Sequence, residues 1–240
     1  MGPVVPGFQV GGMVDGRVAL AGMAAGAALL LCAATGCTPN GAKEQVAGGS
    51  VRVVVIGDSL STGFGTSADE AWPALLKSVP LLNNRTMQVT NAAENGSGYL
   101  VTGEHGDTFR EEVQDAVGPD TDVVVFFGSD NDEGTDPEAL RAAAVSTFAA
   151  ASAIAPKAVL VAVGPLSGSD EPDPELTGVR DSAAAAAQDM DVPFIDPIAD
   201  AWLAGRADVL LGPDREHPSV AGQELLRDKM RAILSSAVQG

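Results

Sequence analysis

Cysteine is nearly absent from this chain. The only two, Cys32 and Cys37, both lie close to the N-terminus, so no internal disulfide can staple the remainder. Basic residues are also scarce: 14 Lys and Arg stand against 32 Asp and Glu, a formal charge of −18 that would repel nucleic-acid phosphates and anionic lipid headgroups alike. Aromatic residues make up only 4% of the chain, which leaves little with which to line a deep apolar tunnel. No internal repeat is visible, which argues against a solenoid or propeller. What is present is a globular composition, 45% hydrophobic and 19% charged, and the 240 residues allow one good-sized core.

The first fifty residues differ from the rest. From Val18 to Gly36 there is no charge, Arg17 precedes the run, and the run ends Ala33-Ala34-Thr35-Gly36-Cys37. This pattern reads as an export signal over residues 1–36, with Met13 as an alternative start. Ala34, Thr35 and Gly36 before Cys37 resemble a lipobox, at which a lipoprotein precursor is diacylglycerated on cysteine and cut just before it, although Ala34 stands where leucine is usual. An uncleaved membrane anchor is the alternative, since the apolar run is just long enough to span. Either reading puts the rest outside the cytoplasm, at the outer face of the membrane or secreted. Removing residues 1–36 takes away Asp15 and Arg17 and leaves the balance at −18, so a covalent anchor at Cys37 would have to supply any membrane attachment. Residues 37–50, rich in Gly, Ala, Pro and Asn without an apolar period, read as a flexible tether.

From Val51 onward the pattern alternates. Val51-Arg52-Val53-Val54-Val55-Ile56 is a β-branched run of the kind buried on both faces of a parallel sheet, and it breaks into Gly57-Asp58-Ser59-Leu60. Further strands are expected at Met87–Ala92, Asp122–Phe127, Lys157–Val163 and Val192–Ile195, with helices at Glu70–Val79, Asp136–Ala155, Pro174–Asp189 and Ser219–Ala237. The expected fold over residues 51–240 is therefore α/β: three layers around a five-stranded parallel sheet, most simply in flavodoxin-like order.

Ligands of such sheets bind beyond the carboxyl ends of the strands. There Ser59 follows the first strand, Gly96 the second and Asn131 the third, while Asp214 and His217 precede the last helix. A hydroxyl, a glycine amide, an asparagine amide and an Asp/His pair on one sheet edge are the parts needed for acyl transfer. Taken alone, the stretch is better read as a helix start, with Asp58 or Ser59 as the N-cap. The four segments together resemble the SGNH, or GDSL, hydrolases. Gly57-Asp58-Ser59-Leu60 matches the first block, Gly96 the second, Asn131-Asp132 the third and Asp214 to His217 the fifth. One departure is visible, Ser129 standing where the third block usually has glycine, with Gly128 beside it as a possible source of flexibility.

The chemistry fits these residue types: His217 as base for the Ser59 hydroxyl, and Asp214 to orient the imidazole and stabilise its cation. The resemblance implies an oxyanion hole formed by the Ser59 and Gly96 backbone amides and the Asn131 side-chain amide. It implies a serine esterase acting on carboxylic esters of small molecules or glycans through an acyl-enzyme, with no cofactor and no metal. Short acyl groups are expected, because no lid insertion is seen and Gly, Ser, Thr, Asn and Asp dominate the loops. An acyltransferase would use the same residues, and a non-catalytic binding lipoprotein on this fold is a third reading. A phosphate cradle after the first strand lacks the Gly-Lys-Ser/Thr of a P-loop and leaves Asp214 and His217 idle. His105 reads as a solvated loop histidine. The acid-rich Asp130–Asp136 stretch has Gly134 where a calcium loop needs a ligand. Tyr99, Phe64 and Trp202 could line the site or simply pack.

Overall fold

The computed structural model describes residues 49–81 and 84–239. The export segment, Cys32, Cys37 and the tether as far as residue 48 lie outside the described residues. Five strands, β1 (Val51–Gly57), β2 (Met87–Asn91), β3 (Val123–Phe127), β4 (Val159–Val163) and β5 (Phe194–Ile195), form one sheet in the order β2-β1-β3-β4-β5. All four pairings are parallel. This is the flavodoxin-like order expected from the alternating pattern, and the chain reverses direction across the sheet between β1 and β3.

Strand alternation divides the core in two. Val51, Val53 and Val55 of β1 point to one face with Val123, Val125 and Phe127 of β3. There they meet α2 (Trp72–Leu76), α6 (Ala207–Leu210) and α7 (Val220–Ala237) through Trp72, Leu210, Leu226, Met230 and Leu234. Val54 and Ile56 point the other way with Val124 and Phe126, onto α3 (Phe109–Ala116), α4 (Pro137–Ile154) and α5 (Pro174–Asp189). A strand covered on both faces has no polar side, which is why β3 reads as an unbroken apolar run and β1 as one broken only by the exposed Arg52 near its start.

Several boundaries differ from the sequence expectation, each for a local reason. The helix expected over Glu70–Val79 shrinks to Trp72–Leu76, because Lys77, Ser78 and Val79 turn back with i→i−3 bonds of 3.1–3.2 Å and Pro80 follows. β5 is two residues rather than four, since Pro193 has no N–H and the Val192 N–H caps α5 at the Ala187 carbonyl, 2.8 Å away. Helix α3 was not anticipated. Its signal is nonetheless in the sequence, a capping box in which Thr108 caps the N-terminus and Glu111 bonds back to the Thr108 N–H. Among the described residues no helix is long and apolar enough to cross a membrane.

Candidate active site

At the carboxyl end of β1 the chain turns directly into the short helix α1 (Ser59–Thr62). Asp58 is its N-cap, Oδ1 accepting the Leu60 N–H at 2.9 Å. The capping reading is therefore right for Asp58, and it leaves the Ser59 hydroxyl free to point elsewhere. The hydroxyl is 2.9 Å from His217 Nε2, and His217 Nδ1 is 2.9 Å from Asp214 Oδ2. Residues 158 apart in sequence thus form one continuous hydrogen-bonded chain.

The histidine loop is built tightly. The Gly212 N–H donates to the His217 carbonyl at 2.7 Å, Leu211 bridges Pro218, and Ser219 caps α7. Arg215 takes a left-handed φ of 63° to make the turn, a conformation that costs a non-glycine residue. Asp214 Oδ1 accepts the N–H groups of Glu216 and His217, both at 3.1 Å, so its other oxygen is aimed at the imidazole. Partial burial raises the Asp214 carboxyl, but these two N–H donors and the His217 ring outweigh it and hold the group below the usual carboxylate range. Phe64 covers the imidazole, ring centroids 4.5 Å apart. Of the three aromatics that could have lined the site only Phe64 reaches His217; Tyr99 packs on Phe109 and Phe148, and Trp202 is buried in the opposite core.

Gly96 and Asn131 come to the same strand end. Gly96 has φ +79°, a left-handed conformation that explains glycine at this position. The backbone N–H groups of Ser59 and Gly96 find no acceptor among the described residues, as suits donors awaiting a ligand. Asn131 differs: its Nδ2 is 2.9 Å from the Ser97 carbonyl and 3.2 Å from Asp58 Oδ2. Both amide hydrogens therefore have internal acceptors, and an oxyanion would have to take the place of the longer, Asp58 contact. The third-block departure is accommodated. Gly128 supplies the positive φ of +67°, while the Ser129 hydroxyl donates to the Ser97 carbonyl and accepts the Asn131 N–H, both at 3.1 Å.

Sequence reasoning missed the carboxylates that hold this edge together. Asp132, fully buried, accepts the N–H groups of Tyr99, Leu100 and Val101 at 2.7–3.1 Å. Glu94 accepts those of His105, Gly106 and Asp107, and the His105 ring itself is exposed, as expected. Glu112, on the unanticipated α3, accepts the Gly57 N–H at 2.9 Å and lies 2.7 Å from the Ser97 hydroxyl. Asp58 is buried beside Asp130; burial first, then that neighbouring charge, pushes its carboxyl well above the usual range against the bond from the Leu60 N–H.

A cleft of about 300 Å³ is lined by Leu60 and Glu216, the chain neighbours of Ser59 and His217, together with Asp130, Glu133, Asp173 and Arg215. Burial and the negative charges around it raise the Glu133 carboxyl. Among the described residues no cluster of three or more metal-ligating side chains occurs.

A doubly wound parallel sheet with a serine, histidine and aspartate linked in series at its carboxyl edge is the arrangement of a serine hydrolase, and the family match makes it one of the carboxylic-ester type. The chain belongs to the GDSL-like lipase/acylhydrolase family, whose model matches residues 55–225. It is 39% identical over 194 residues to the GDSL lipase Rv0518 of Mycobacterium tuberculosis, covering 78% of this chain and 83% of the relative. Solved structures share the fold. The psychrotrophic esterase EstA of Pseudoalteromonas sp. superposes with TM-score 0.60 at 16% identity, over 79% of this chain and 99% of that one. A family two carbohydrate esterase of Clostridium thermocellum, in complex with cellohexaose, gives 0.59 at 16% identity over 79% and 65%.

Proposed function

We propose that the protein is an exported esterase that hydrolyses short-acyl carboxylic esters through an acyl-enzyme on Ser59. The observation that carries this is the Ser59–His217–Asp214 chain, with both contacts at 2.9 Å. As the Ser59 Oγ attacks the ester carbonyl carbon, its proton passes to His217 Nε2, and Asp214 stabilises the imidazolium at Nδ1. The negative charge gathering on the carbonyl oxygen meets the Ser59 and Gly96 amides and the Asn131 amide, once the latter yields its Asp58 contact. Collapse breaks the ester C–O bond, and His217 returns the proton to the departing alkoxide. Water, deprotonated by His217, then adds to the acyl-enzyme, and Ser59 leaves with its hydroxyl restored.

The cleft supports a short acyl group and a polar alcohol portion. Leu60, Leu166 and Leu176 offer it limited apolar surface, and Asp130, Glu133, Asp173 and Glu216 surround them. A rim of carboxylates repels anionic acyl groups and provides acceptors for sugar hydroxyls. The carbohydrate esterase neighbour holding cellohexaose supports a glycan ester as one substrate class. The mycobacterial relative's name, a lipase, makes long-chain esters the alternative to test against. Export and lipid attachment at Cys37 rest on the lipobox-like Ala34-Thr35-Gly36-Cys37 and on a net charge of −18, which leaves the domain no electrostatic hold on an anionic membrane.

The reading is tested by treating the protein with a fluorophosphonate probe and mapping the adduct by mass spectrometry. Labelling at Ser59, with labelling and hydrolysis both lost in Ser59→Ala, is expected; wild-type turnover in Ser59→Ala would refute it.

A further inference from the structure

Glu112 is a buried acid for which the mechanism above has no use, and its surroundings contain a proton-counting problem. Its side chain lies under the junction of β1 and the loop that carries Gly96, and the residue is 2% exposed. Oε2 accepts the Gly57 N–H at 2.9 Å. Oε1 is 2.7 Å from the Ser97 hydroxyl, which is also 2.8 Å from the Glu94 carbonyl and 3.0 Å from the Gly57 carbonyl. Three oxygens thus crowd a hydroxyl that has one proton. Two of them are carbonyls and can never donate. Only the carboxyl can supply the second proton.

If Glu112 is ionised, Ser97 must donate to it, and the lone pairs of the Ser97 oxygen then face two carbonyl oxygens at hydrogen-bond distance. If Glu112 is protonated, two of the three contacts hold a proton: Oε1–H donates to the Ser97 Oγ and the Ser97 hydroxyl to the Glu94 carbonyl, while Oε2 accepts the Gly57 N–H and the Gly57 carbonyl has its own donor in the Glu94 N–H at 3.0 Å. Two carboxyls face it, Asp58 at the end of β1 and Glu94 in the loop after β2, and any negative charge they carry opposes its ionisation. Burial dominates over the opposing bonds from Ser97 and Gly57 and, with those two charges, pushes the Glu112 carboxyl up to about 8.

We propose that Glu112 is a positioning residue that works as a neutral acid, donating to Ser97 and so locking the Gly96 amide to the strand end that carries Ser59. Ser97 follows Gly96 directly, and its carbonyl is the acceptor shared by Ser129 and Asn131, so the residue that this hydroxyl holds sits where the second and third loops meet. The inference rests on the reading of Gly96 as an oxyanion donor. Ionisation of Glu112 then loosens a transition-state contact and leaves the Ser59–His217 contact intact, which gives kcat an alkaline decline.

Glu112→Ala is expected to lower kcat roughly 10- to 100-fold with little change in KM, a part of the ~10²–10³ that a whole oxyanion donor is worth. Glu112→Gln is expected to rescue most of that loss, because its amide donates to Ser97 and its carbonyl accepts the Gly57 N–H, and to abolish the alkaline decline of kcat. A readout independent of activity is ¹³C NMR of glutamate carboxyl carbons: one resonance, absent in Glu112→Gln, should titrate well above the others. A Glu112→Gln loss as deep as that of Glu112→Ala, or a Glu112 resonance titrating in the ordinary carboxylate range while Ser59 still labels with fluorophosphonate, overturns this inference alone. Failure of Ser59 to label overturns the esterase reading and this inference together.

Discussion

Replacing Glu112 by Gln should make the protein more stable, and increasingly so as pH rises. The native state keeps a proton on Glu112 up to about 8, whereas the unfolded chain releases it near the ordinary value of 4.5. Between those limits the unfolded state binds fewer protons than the native one, so stability falls as pH rises, by up to ~1.4 kcal/mol per pH unit. Integrated from pH 5 to pH 8, this amounts to about 3.5 kcal/mol at most. Glu112 is almost wholly buried, so solvent screens little of this. Glu112→Gln has the same shape and no proton to release. Urea denaturation of wild type and Glu112→Gln at pH 5, 6, 7 and 8 isolates the effect, because the other acids titrate alike in both and cancel in the difference. The gap in unfolding free energy should open in favour of Glu112→Gln by about 2–3.5 kcal/mol over this range. Parallel stability curves would show that Glu112 is ionised in the native protein at neutral pH and would refute the reasoning.

Four further outcomes are expected. His217→Ala should be inactive, and Asp214→Asn should lose on the order of 10⁴ in kcat, more than Asp214→Ala, because Asn donates to Nδ1 and forces the tautomer that cannot take the Ser59 proton; stopped-flow and steady-state kinetics on one ester decide the order. Asn131→Ala should lower kcat by about 10²–10³ with KM little changed, and an effect confined to KM would assign Asn131 to ground-state binding. On a series of p-nitrophenyl esters kept below their micelle concentrations, kcat/KM should peak between acetyl and butyryl, because a polar cleft gains little of the ~0.8 kcal/mol per CH₂ that a buried groove would give. A steady rise to dodecanoyl would instead mean a lipid substrate. Cys37→Ala should release the protein from membranes or leave an uncleaved precursor, as read by detergent-phase partitioning and N-terminal mass.

The central strands were legible because burial on both faces demands near-continuous apolar runs, and β1 and β3 satisfy that demand with local sequence alone. Helices α4, α5 and α7 were legible as long segments, α4 also from its Asp136 cap, and the structure adds Asp173 and Ser219 as the caps of α5 and α7. Short elements were not. In α2 and β5 a proline and a few i→i−3 bonds decide the ends, and α3 went unseen although Thr108 and Glu111 spell out its start. Phe64, Tyr99 and Trp202 were ambiguous because the same aromatic ring serves a core or a site, and only spatial neighbours separate the two uses.

By itself, then, the sequence determined the layer architecture, the sheet edge at which Ser59, Gly96, Asn131, Asp214 and His217 emerge, and the acyl-transfer chemistry those residues can perform. Those properties follow from period, from capping and from residue type at strand ends, all of which act over a few residues. Only the tertiary structure decided that Asp58 caps α1 while Ser59 faces His217, that Asn131 spends its amide on Ser97 and Asp58, and that Glu112 lies under the Gly96 loop. Glu112 is 55 residues from Gly57 and 15 from Ser97, and it is charged in sequence and buried in space. A carboxyl's protonation state is set by the water it has lost and by the donors and charges packed around it, and none of these exists until the chain has folded.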